Sequence, residues 1–236
     1  MLLGSELIIV AMDPSRDLRS RESLYNWINR VVDDTRDLVY GYKVGLPLLL
    51  SGGVESFEYI KKRSGGKFLI ADLKLADIGD IMTISINYLR EVGVDGVIAH
   101  VFIGYEDALD KLSRVLRENG MKLILVVSMS HRGSTQFIDK HIDEFIEVAV
   151  KCEAWGVVAP ATRPEVISYV RSRLGGGVKI LSPGIGAQGA SPGSAICSGA
   201  DYEIIGRLIT HSENPRQRTL EIINEMRERI ERCKRS

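Results

Sequence analysis

The sequence alternates eight times between a short apolar run and a longer amphipathic stretch, and this alternation limits the fold more than any other feature. Continuous apolar runs rich in β-branched residues are typical of parallel strands that are covered on both faces. We therefore predict strands at Leu7–Met12, Leu38–Val44, Phe68–Leu73, Gly96–His100, Leu123–Met129, Gly156–Ala159, Val178–Ser182 and Tyr202–Gly206.

The stretches between these runs have the apolar spacing of helices that cover a sheet. We predict helices at Arg21–Thr35, Leu46–Lys62, Ile81–Val92, Asp107–Glu118, Ile138–Ala154, Pro164–Leu174, Pro192–Ser198 and Pro215–Cys233. No polar or low-complexity linker divides the chain. Eight strand–helix units in 236 residues predict a single (β/α)8 TIM barrel domain over residues 1–236, with an open doubly wound sheet as the alternative.

Composition and charge argue against several classes of protein. Hydrophobic residues make up 44% of the chain and charged residues 26%, which is typical of a globular protein rather than a disordered one. No apolar run approaches the roughly 18 residues of a membrane helix, so we expect no membrane partner. Thirty-one basic residues balance 31 acidic ones, so we expect no nucleic-acid partner. The N-terminal segment lacks a basic start and reaches Asp13 early, which predicts a cytoplasmic protein without a signal peptide.

The three cysteines, Cys152, Cys197 and Cys233, are far apart in the sequence and odd in number. They form neither a disulfide framework nor a zinc-binding pattern, and we expect all three to be reduced thiols. No cluster of His, Asp and Glu has the spacing of metal ligands, so we expect no metal site.

Charged side chains follow several of the predicted strands. Asp13 ends the first run, Lys43 lies near the end of the second, and Asp72 and Lys74 end the third. In a (β/α)8 barrel the catalytic groups lie at the carboxyl ends of the strands. Because isolated buried charges are costly, several charged strand ends that converge on one mouth indicate a functional site.

The segment IADLKLADIGD contains the most informative pattern, Asp-x-Lys-x-x-Asp, formed by Asp72, Lys74 and Asp77. In a regular strand, residues two apart face the same side, so Asp72 and Lys74 should lie together. Neighbouring carboxylates favour the charged form of a lysine. A fixed ammonium group is suited to donate a proton or to bind negative charge, and it is not a Schiff-base nucleophile. A solvated cluster of loop charges is the alternative.

The segment LSPGIGAQGASPG matches the dinucleotide-binding spacing G-x-G-x-x-G through Gly184, Gly186 and Gly189. The context does not fit that motif, because a short stretch broken by Pro192 follows and no acidic residue ends the next strand. Glycine-rich loops also bind phosphate through backbone N–H groups, and barrels use the loops after strands 7 and 8 for this purpose. Arg207 ends the eighth run, so we predict a phosphate site there, against the alternative of a flexible turn beside a surface arginine.

Other side chains carry weaker signals. His100 ends the fourth run, where a structural histidine is the simpler interpretation than a metal ligand. Ser128 and Ser130 have no apparent base partner apart from His131, which argues against a nucleophilic serine. Trp27 and Trp155 are expected to pack in or beside helices.

Six segments together resemble the orotidine 5′-phosphate decarboxylases, in particular the short archaeal type. They are AMD, YKVG, DLKLADI, MSH, SPGIGAQG and GR, which occur in the family's order between Leu7 and Arg207. The resemblance implies decarboxylation of orotidine 5′-phosphate to UMP, the last step of de novo pyrimidine nucleotide synthesis, with no metal and no organic cofactor. A lysine that protonates a developing carbanion suits this chemistry, since an ammonium group stabilises negative charge as it forms.

The resemblance also implies roles for individual residues. Lys74 would protonate carbon 6, Asp72 would lie beside the substrate carboxylate, and Lys43 would hold Asp72 and a ribose hydroxyl. Asp77 would reach into the site of a second subunit, which implies a homodimer. The remaining substrate contacts would come from Asp13 at the ribose, Ser130 at the pyrimidine edge, Gln188, Gly206 and Arg207 at the phosphate, and Ile78, Pro183, Gly184 and Gly186, with the Pro183–Gly193 loop closing over the substrate.

One segment departs from the family pattern Asp-Ile-Pro-x-Thr. Gly79 stands in place of the proline, and Ile81 in place of the threonine, with Thr83 two residues further on. The nearest alternative function is a sugar-phosphate barrel enzyme that shares Asp-x-Lys-x-x-Asp but uses Mg²⁺ and an acidic residue at strand 2, where this chain has Lys43. A barrel that binds nucleotides without catalysis is a second alternative.

Overall fold

A computed structural model describes residues 5–18 and 20–235, and its core is a closed barrel of eight parallel strands in sequence order. The expectation about an N-terminal signal concerns residues 1–4 in part, and these lie outside the described residues. The strands are β1 Ile8–Ala11, β2 Gly41–Gly45, β3 Phe68–Leu75, β4 Gly96–His100, β5 Lys122–Val126, β6 Gly156–Val158, β7 Lys179–Pro183 and β8 Tyr202–Ile205. Because β1 pairs with both β2 and β8, the predicted (β/α)8 barrel is confirmed and the open sheet is wrong.

Helices surround the barrel. They are α1 Arg21–Thr35, α2 Leu46–Gly52, α3 Glu55–Arg63, α4 Gly79–Glu91, α5 Asp110–Glu118, α6 Ile142–Lys151, α7 Pro164–Leu174, α8 Ser194–Cys197, α9 Arg207–Thr210 and α10 Pro215–Arg235. The helix predicted over Leu46–Lys62 is in fact two helices, because Gly53 adopts a φ of 73° and ends α2. Short 3-10 turns at Ser5–Leu7, Val101–Ile103, Arg132–Gln136 and Ile138–His141 and a π turn at Tyr105–Leu109 complete the elements.

The barrel interior is filled by alternate residues of the strands. Nine of them form a separate buried apolar cluster, namely Ile9, Ala11, Ile70, Ile98, Ile124, Val126, Val158, Leu181 and Ile204. The outward-facing residues of the same strands pack against the helices in a second, larger cluster. The two-residue period of a strand therefore decides which side chains can reach the mouth of the barrel.

Four aromatic side chains close the base of the barrel. Tyr40 lies against Phe68 and Tyr202, with ring centroids 5.3 and 4.6 Å apart, and Trp155 completes the ring at 5.2 Å from Phe68 and 6.0 Å from Tyr202. Gly41 allows β2 to approach β3 closely beside these rings, because a Cβ there would lie 2.1 Å from the Phe68 carbonyl oxygen. Trp155 has a packing role, as predicted. The four aromatic side chains close the end of the barrel opposite the predicted site.

The expectation of three reduced cysteines is wrong. Cys197 at the end of α8 and Cys233 in α10 form a disulfide, with Cα atoms 6.0 Å apart across 36 residues of sequence. Packing of α10 beside α8 brings the pair together, and the linear spacing of cysteines does not reveal that contact. Cys152 is a free, buried thiol, and burial raises its pKa to about 11. Within residues 5–18 and 20–235, no helix has the length and apolar character needed to cross a membrane.

Candidate active site

A cavity of about 400 Å³ opens at the carboxyl ends of the strands. Its polar side chains continue the inward-facing rows of the interior: Asp13 follows Ala11 by two residues, and Asp72 follows Ile70 by two. Ten of the predicted site residues line this cavity, namely Asp13, Lys43, Asp72, Lys74, Ser130, Pro183, Gly184, Gln188, Gly206 and Arg207. Strand geometry thus places them at one mouth, as the sequence predicts.

Four charged side chains of alternating sign form an array along one side of the cavity. The Asp72 carboxylate lies between two lysines, with its Oδ2 2.8 Å from Lys43 Nζ and its Oδ1 2.9 Å from Lys74 Nζ. Asp13 Oδ2 lies 4.0 Å from Lys43 Nζ. We call Asp13, Lys43, Asp72 and Lys74 the charge array. Its Lys74 end is 40% exposed, whereas the Lys43 and Asp72 side chains are each 9% exposed.

Burial and charge act in opposite directions on the two inner members of the array. Burial alone raises the pKa of the Asp72 carboxyl, but the charges of Lys43 and Lys74 outweigh it and hold that pKa below its usual value. For Lys43 the signs are reversed: burial alone lowers the pKa of its ammonium group, but the charges of Asp72 and Asp13 outweigh burial and raise that pKa above its usual value. Both groups are therefore ionised at neutral pH, and each keeps the other charged.

Lys74 reaches the cavity through a distortion of β3. Ala71 of β3 pairs with Val97 of β4, and the next pair is Leu75 with Ala99. Residues 72–74 of β3 therefore lie opposite the single residue Ile98 of β4. Within this bulge Lys74 has a φ of 46°, in the left-handed region that a Cβ makes unfavourable by about 1–2 kcal/mol. Asp72 and Lys74 do lie together, as predicted, but a bulge rather than a regular strand brings them there. Such strain is concentrated at functional sites.

A second part of the cavity lining is formed by the loop after β7 and the residues after β8. The loop folds back on itself, since Gly186 N donates to the Ala190 carbonyl at 2.7 Å and Ala190 N donates to the Gly184 carbonyl at 3.2 Å. Gly186 does not line the cavity: it has a φ of 74°, and a Cβ there would lie 2.8 Å from Leu208. Its role is to shape the loop that carries Gln188, which lines the cavity together with Arg207.

Ser130 belongs to a loop that is braced by a network the sequence did not reveal. Asp139 accepts hydrogen bonds from Ser128 Oγ and Ser134 Oγ, both at 2.8 Å, and forms an ion pair with Arg163. Arg163 also donates to Ser128 Oγ at 2.8 Å and to the Met129 carbonyl. Arg163 lies shortly after β6, so it could have been found as a charged residue near the end of a strand, whereas nothing in the sequence points to Asp139.

Asp77 and Ile78 are exposed predicted site residues that do not line the cavity of their own chain. Asp77 is exposed, and its carboxylate accepts the Ile78 N–H at 2.7 Å. Ile78 is 61% exposed. Gly79 follows at the start of α4, where a Cβ would lie 2.7 Å from the Lys111 side chain, so the proline of the family pattern does not fit. Thr83 Oγ1 donates to the Gly79 carbonyl at 2.8 Å within α4 and is not part of the cavity lining.

His100 lies beside the array without lining the cavity. Its ring is 4.8 Å from that of Phe102, and burial together with the charge of Lys74 lowers its pKa. This supports the structural interpretation of His100. Across residues 5–18 and 20–235, no three His, Cys, Asp or Glu side chains are grouped so as to hold a metal ion.

Comparison with known proteins identifies relatives of the same fold and length. The sequence profile of the orotidine 5′-phosphate decarboxylase / HUMPS family matches residues 6–222. An orotidine 5′-phosphate decarboxylase from Aeropyrum pernix is 47% identical over 213 residues, covering 88% of this chain and 83% of that protein.

Two solved structures are similar over almost the whole chain. An orotidine 5′-monophosphate decarboxylase from Sulfolobus solfataricus matches with a TM-score of 0.82 and 35% identity, covering 95% of this chain and 99% of that one. The enzyme from Methanocaldococcus jannaschii, complexed with the inhibitor BMP, matches with a TM-score of 0.81 and 31% identity over 94% and 98% of the two chains. The resemblance noted in the sequence is confirmed, and the chain belongs to the orotidine 5′-phosphate decarboxylase / HUMPS family.

Proposed function

We propose that the chain decarboxylates orotidine 5′-phosphate to UMP and CO2, the last step of de novo pyrimidine nucleotide synthesis, with no metal or organic cofactor. The observation that carries this proposal is the charge array at the barrel mouth, in which Asp72 is held between Lys43 and Lys74. The relatives of this chain are decarboxylases of this substrate, which supports the assignment.

The reaction breaks the bond between carbon 6 of the pyrimidine and its carboxyl group, and the electron pair stays on carbon 6 as CO2 leaves. The ring offers no electron sink for that pair, so the protein must stabilise it. The Lys74 ammonium is one of the two exposed ends of the array and lines the cavity, where it stabilises the developing charge and then gives its proton to carbon 6. Asp72 lies beside the substrate carboxylate and holds Lys74 in place.

The rest of the cavity binds the parts of the substrate that do not react. Asp13 and Lys43 bind ribose hydroxyls, and Ser130 contacts the pyrimidine edge. Gln188, Arg207 and the backbone of Gly206, which also line the cavity, bind the phosphate. Pro183 and Gly184 line the base of the glycine-rich loop, which closes over the bound nucleotide. Binding energy from the phosphate, far from carbon 6, positions the ring against Lys74.

The orotidine 5′-phosphate decarboxylase / HUMPS family is named for a second activity besides the decarboxylase. A sugar-phosphate enzyme is therefore the alternative function. That activity would require Mg²⁺ and an acidic residue at the end of β2. Lys43 occupies this position and forms an ion pair with Asp72 at 2.8 Å. A cation at this place would repel Mg²⁺, which favours the decarboxylase.

The experiment that tests the proposal is incubation of the purified protein with orotidine 5′-phosphate in the presence of EDTA, with UMP measured by chromatography. We expect UMP to form at the same rate with and without EDTA. Lys74→Ala serves as the inactive control and Lys179→Ala as the matched one, because Lys179 forms a similar pair with Asp201, 3.0 Å away, at the closed end of the barrel. A requirement for Mg²⁺, or turnover of a sugar phosphate instead, would contradict the assignment.

We also propose that the enzyme is a homodimer in which Asp77 completes the partner's site. Asp77 is exposed and does not line the cavity of its own chain. Exposed apolar side chains lie on the elements that follow β2, β3 and β4, which are neighbours in the barrel: Leu46, Leu50, Ile78, Ile81, Ile84, Tyr88 and Phe102. An exposed apolar surface of this kind beside Asp77 is suited to bury against a second copy.

Mixing two inactive variants tests the shared site. In a heterodimer of Lys74→Ala and Asp77→Ala, one site has both native residues and the other has both defects, because a two-fold interface exchanges equivalent residues. With equal amounts and free exchange, about half of the dimers are mixed, so activity should rise to about a quarter of the wild-type value. If exchange is demonstrated by mass spectrometry of differently tagged subunits and activity does not return, Asp77 acts within its own subunit.

The cytoplasmic location suggested by the sequence stays part of the proposal. The Cys197–Cys233 disulfide bears on this location, because cytosolic proteins rarely contain disulfides except in hyperthermophiles.

A further inference from the structure

The outer face of β8 carries a buried acidic residue that the reaction described above does not use. Glu203 has no exposed surface and points away from the cavity, since its neighbour Ile204 points inward. Burial raises the pKa of its carboxyl to about 7, and backbone N–H groups together with the charge of Arg229 oppose that rise. A carboxyl group in such a place is costly unless it accepts hydrogen bonds, and its partners therefore indicate its role.

The partners of Glu203 lie where the glycine-rich loop ends. Gly193 N donates to Glu203 Oε2 at 2.9 Å, and Ala195 N donates to Oε1 at 3.0 Å. Gly193 has a φ of 82°, and a Cβ there would lie 3.0 Å from the Cα of Met226 in α10. The end of the loop is thus pressed against α10 and hydrogen-bonded to β8.

A further hydrogen bond, donated by a side chain of α10, holds the same end of the loop. Arg229 Nε donates to the Pro192 carbonyl at 2.8 Å. The two side chains therefore hold consecutive residues, Pro192 and Gly193, from two different elements. Glu203 lies only four residues before Arg207 on the same strand and its continuation. The exit of the loop that carries Gln188 is in this way tied to the segment that carries Arg207.

We propose that Glu203 is a positioning residue for phosphate recognition, which fixes the exit of the Pro183–Gly193 loop to β8 so that Gln188 and Arg207 face one phosphate group. This inference rests on the phosphate-binding role proposed above for Gln188 and Arg207. Glu203 touches neither the substrate nor the cavity. Its effect therefore passes through the loop, and it should concern the phosphate rather than the reacting ring.

The test compares a substrate that has the phosphate with one that lacks it. In Glu203→Gln the side chain presents one oxygen acceptor and one NH2 group, which only donates, so only one side of the amide can still accept a backbone N–H. At a pH above the pKa of Glu203, where its carboxyl is ionised, we expect kcat/KM for orotidine 5′-phosphate to fall about ten-fold, mainly through KM, which is the order expected for one hydrogen bond to a charged group. The value for the nucleoside orotidine should stay at the wild-type level.

Asp201→Asn is the matched control. Asp201 lies two residues before Glu203, and its carboxylate also accepts a backbone N–H, from Ile180 at 2.9 Å, but at the closed end of the barrel. This variant should lose thermal stability and keep the wild-type ratio of the two kcat/KM values. If Glu203→Gln does not fold, Arg229→Met removes the other hydrogen bond at the loop exit and should give the same selective loss.

Three outcomes contradict the inference in different ways. Equal losses for both substrates would show that Glu203 only stabilises the fold, and unchanged values for both would show that it does not position the loop. If the wild-type enzyme itself treats the two substrates alike, the phosphate role of the loop is wrong and the role of Glu203 falls with it.

Discussion

At the base of the barrel, Asp95 and Asp201 each accept a backbone N–H, whereas at the mouth Asp72 accepts hydrogen bonds from two lysine side chains. Asp95 binds Leu69 N at 2.7 Å and Lys61 Nζ at 2.5 Å. Asp201 binds Ile180 N at 2.9 Å and Lys179 Nζ at 3.0 Å, and it also pairs with Arg171. At both ends of the barrel a carboxylate pairs with cationic side chains, but only at the base does the carboxylate also accept a hydrogen bond from the backbone of a strand.

The comparison shows what kind of charge cluster can be used for chemistry. A carboxylate that accepts a backbone N–H joins two segments of the chain, so removing its partners weakens the fold. Asp72 instead holds the ends of two flexible side chains beside an open cavity, and one of these, Lys74, is 40% exposed. The predictions below test whether function and stability separate between the two ends in this way.

The largest effect should follow the removal of Lys74. In Lys74→Ala we expect kcat to fall by at least about 10³-fold, because both the proton donor and the cation that stabilises the developing charge are lost. The free energy of unfolding should stay within about 1 kcal/mol of the wild-type value, since Lys74 is 40% exposed and Asp72 keeps its ion pair with Lys43. Steady-state kinetics and urea unfolding measure the two quantities.

Lys179→Ala at the base is the control, and it should keep the wild-type kcat. A Lys74→Ala variant that retained a tenth of the activity would remove the basis for the proton-donor role.

The next effect should follow the removal of Arg207, which lies at the mouth and is exposed. In Arg207→Ala, kcat/KM for orotidine 5′-phosphate should fall about 100-fold through lost charge-assisted hydrogen bonds to phosphate. The value for orotidine should change far less, because that substrate has no phosphate to bind. Equal losses for the two substrates would show that Arg207 has a structural role.

Arg171 at the base is the matched arginine, since it donates to Asp201 and to the carbonyl oxygens of Gly199, Gly175 and Val178. Arg171→Ala should lower the stability of the fold while the preference for the phosphate-bearing substrate stays as in the wild type.

The fold was predictable because its signal is local. Helices Arg21–Thr35 and Pro164–Leu174 have the predicted bounds, and each strand overlaps an apolar run whose period or length is visible in the sequence alone. Most of the ten cavity residues were predictable for a related reason, since they lie at the end of a strand or in the loop after it, and all strands end at one mouth. Gln188 is an exception, because only the family resemblance pointed to it.

The contacts that escaped prediction join residues that are distant in sequence. Asp139 and Arg163 are 24 residues apart, and Cys197 and Cys233 are 36 apart. No periodic pattern relates such partners, and only the packing of the helices brings them together. Glu203 escaped for another reason: it lies inside an apolar run, where one acidic residue gives no sign of which backbone groups it meets.

At the base, Asp201→Asn should lower the free energy of unfolding by about 2 kcal/mol, as expected for weaker hydrogen bonds to a charged acceptor. An amide can still accept one hydrogen bond, but it no longer balances the charges of Arg171 and Lys179. Urea unfolding measures the loss, and kcat should be unchanged. A loss of kcat without a loss of stability would mean that the two ends of the barrel do not divide these roles.

The smallest effect concerns the conformation of the backbone. The difference in stability between a glycine and an alanine variant should have opposite signs at the two ends of the barrel. Lys74 has a φ of 46°, where a Cβ is unfavourable, whereas Lys179 opens the regular strand β7. Glycine tolerates the left-handed region, so Lys74→Gly should be more stable than Lys74→Ala by about 1 kcal/mol. In a regular strand glycine is less favourable than alanine, so Lys179→Gly should be less stable than Lys179→Ala by about 0.5–1 kcal/mol. Urea unfolding of the four variants measures both differences. The same sign at both positions would mean that the bulge at Lys74 is not strained and that the mouth stores no conformational energy there.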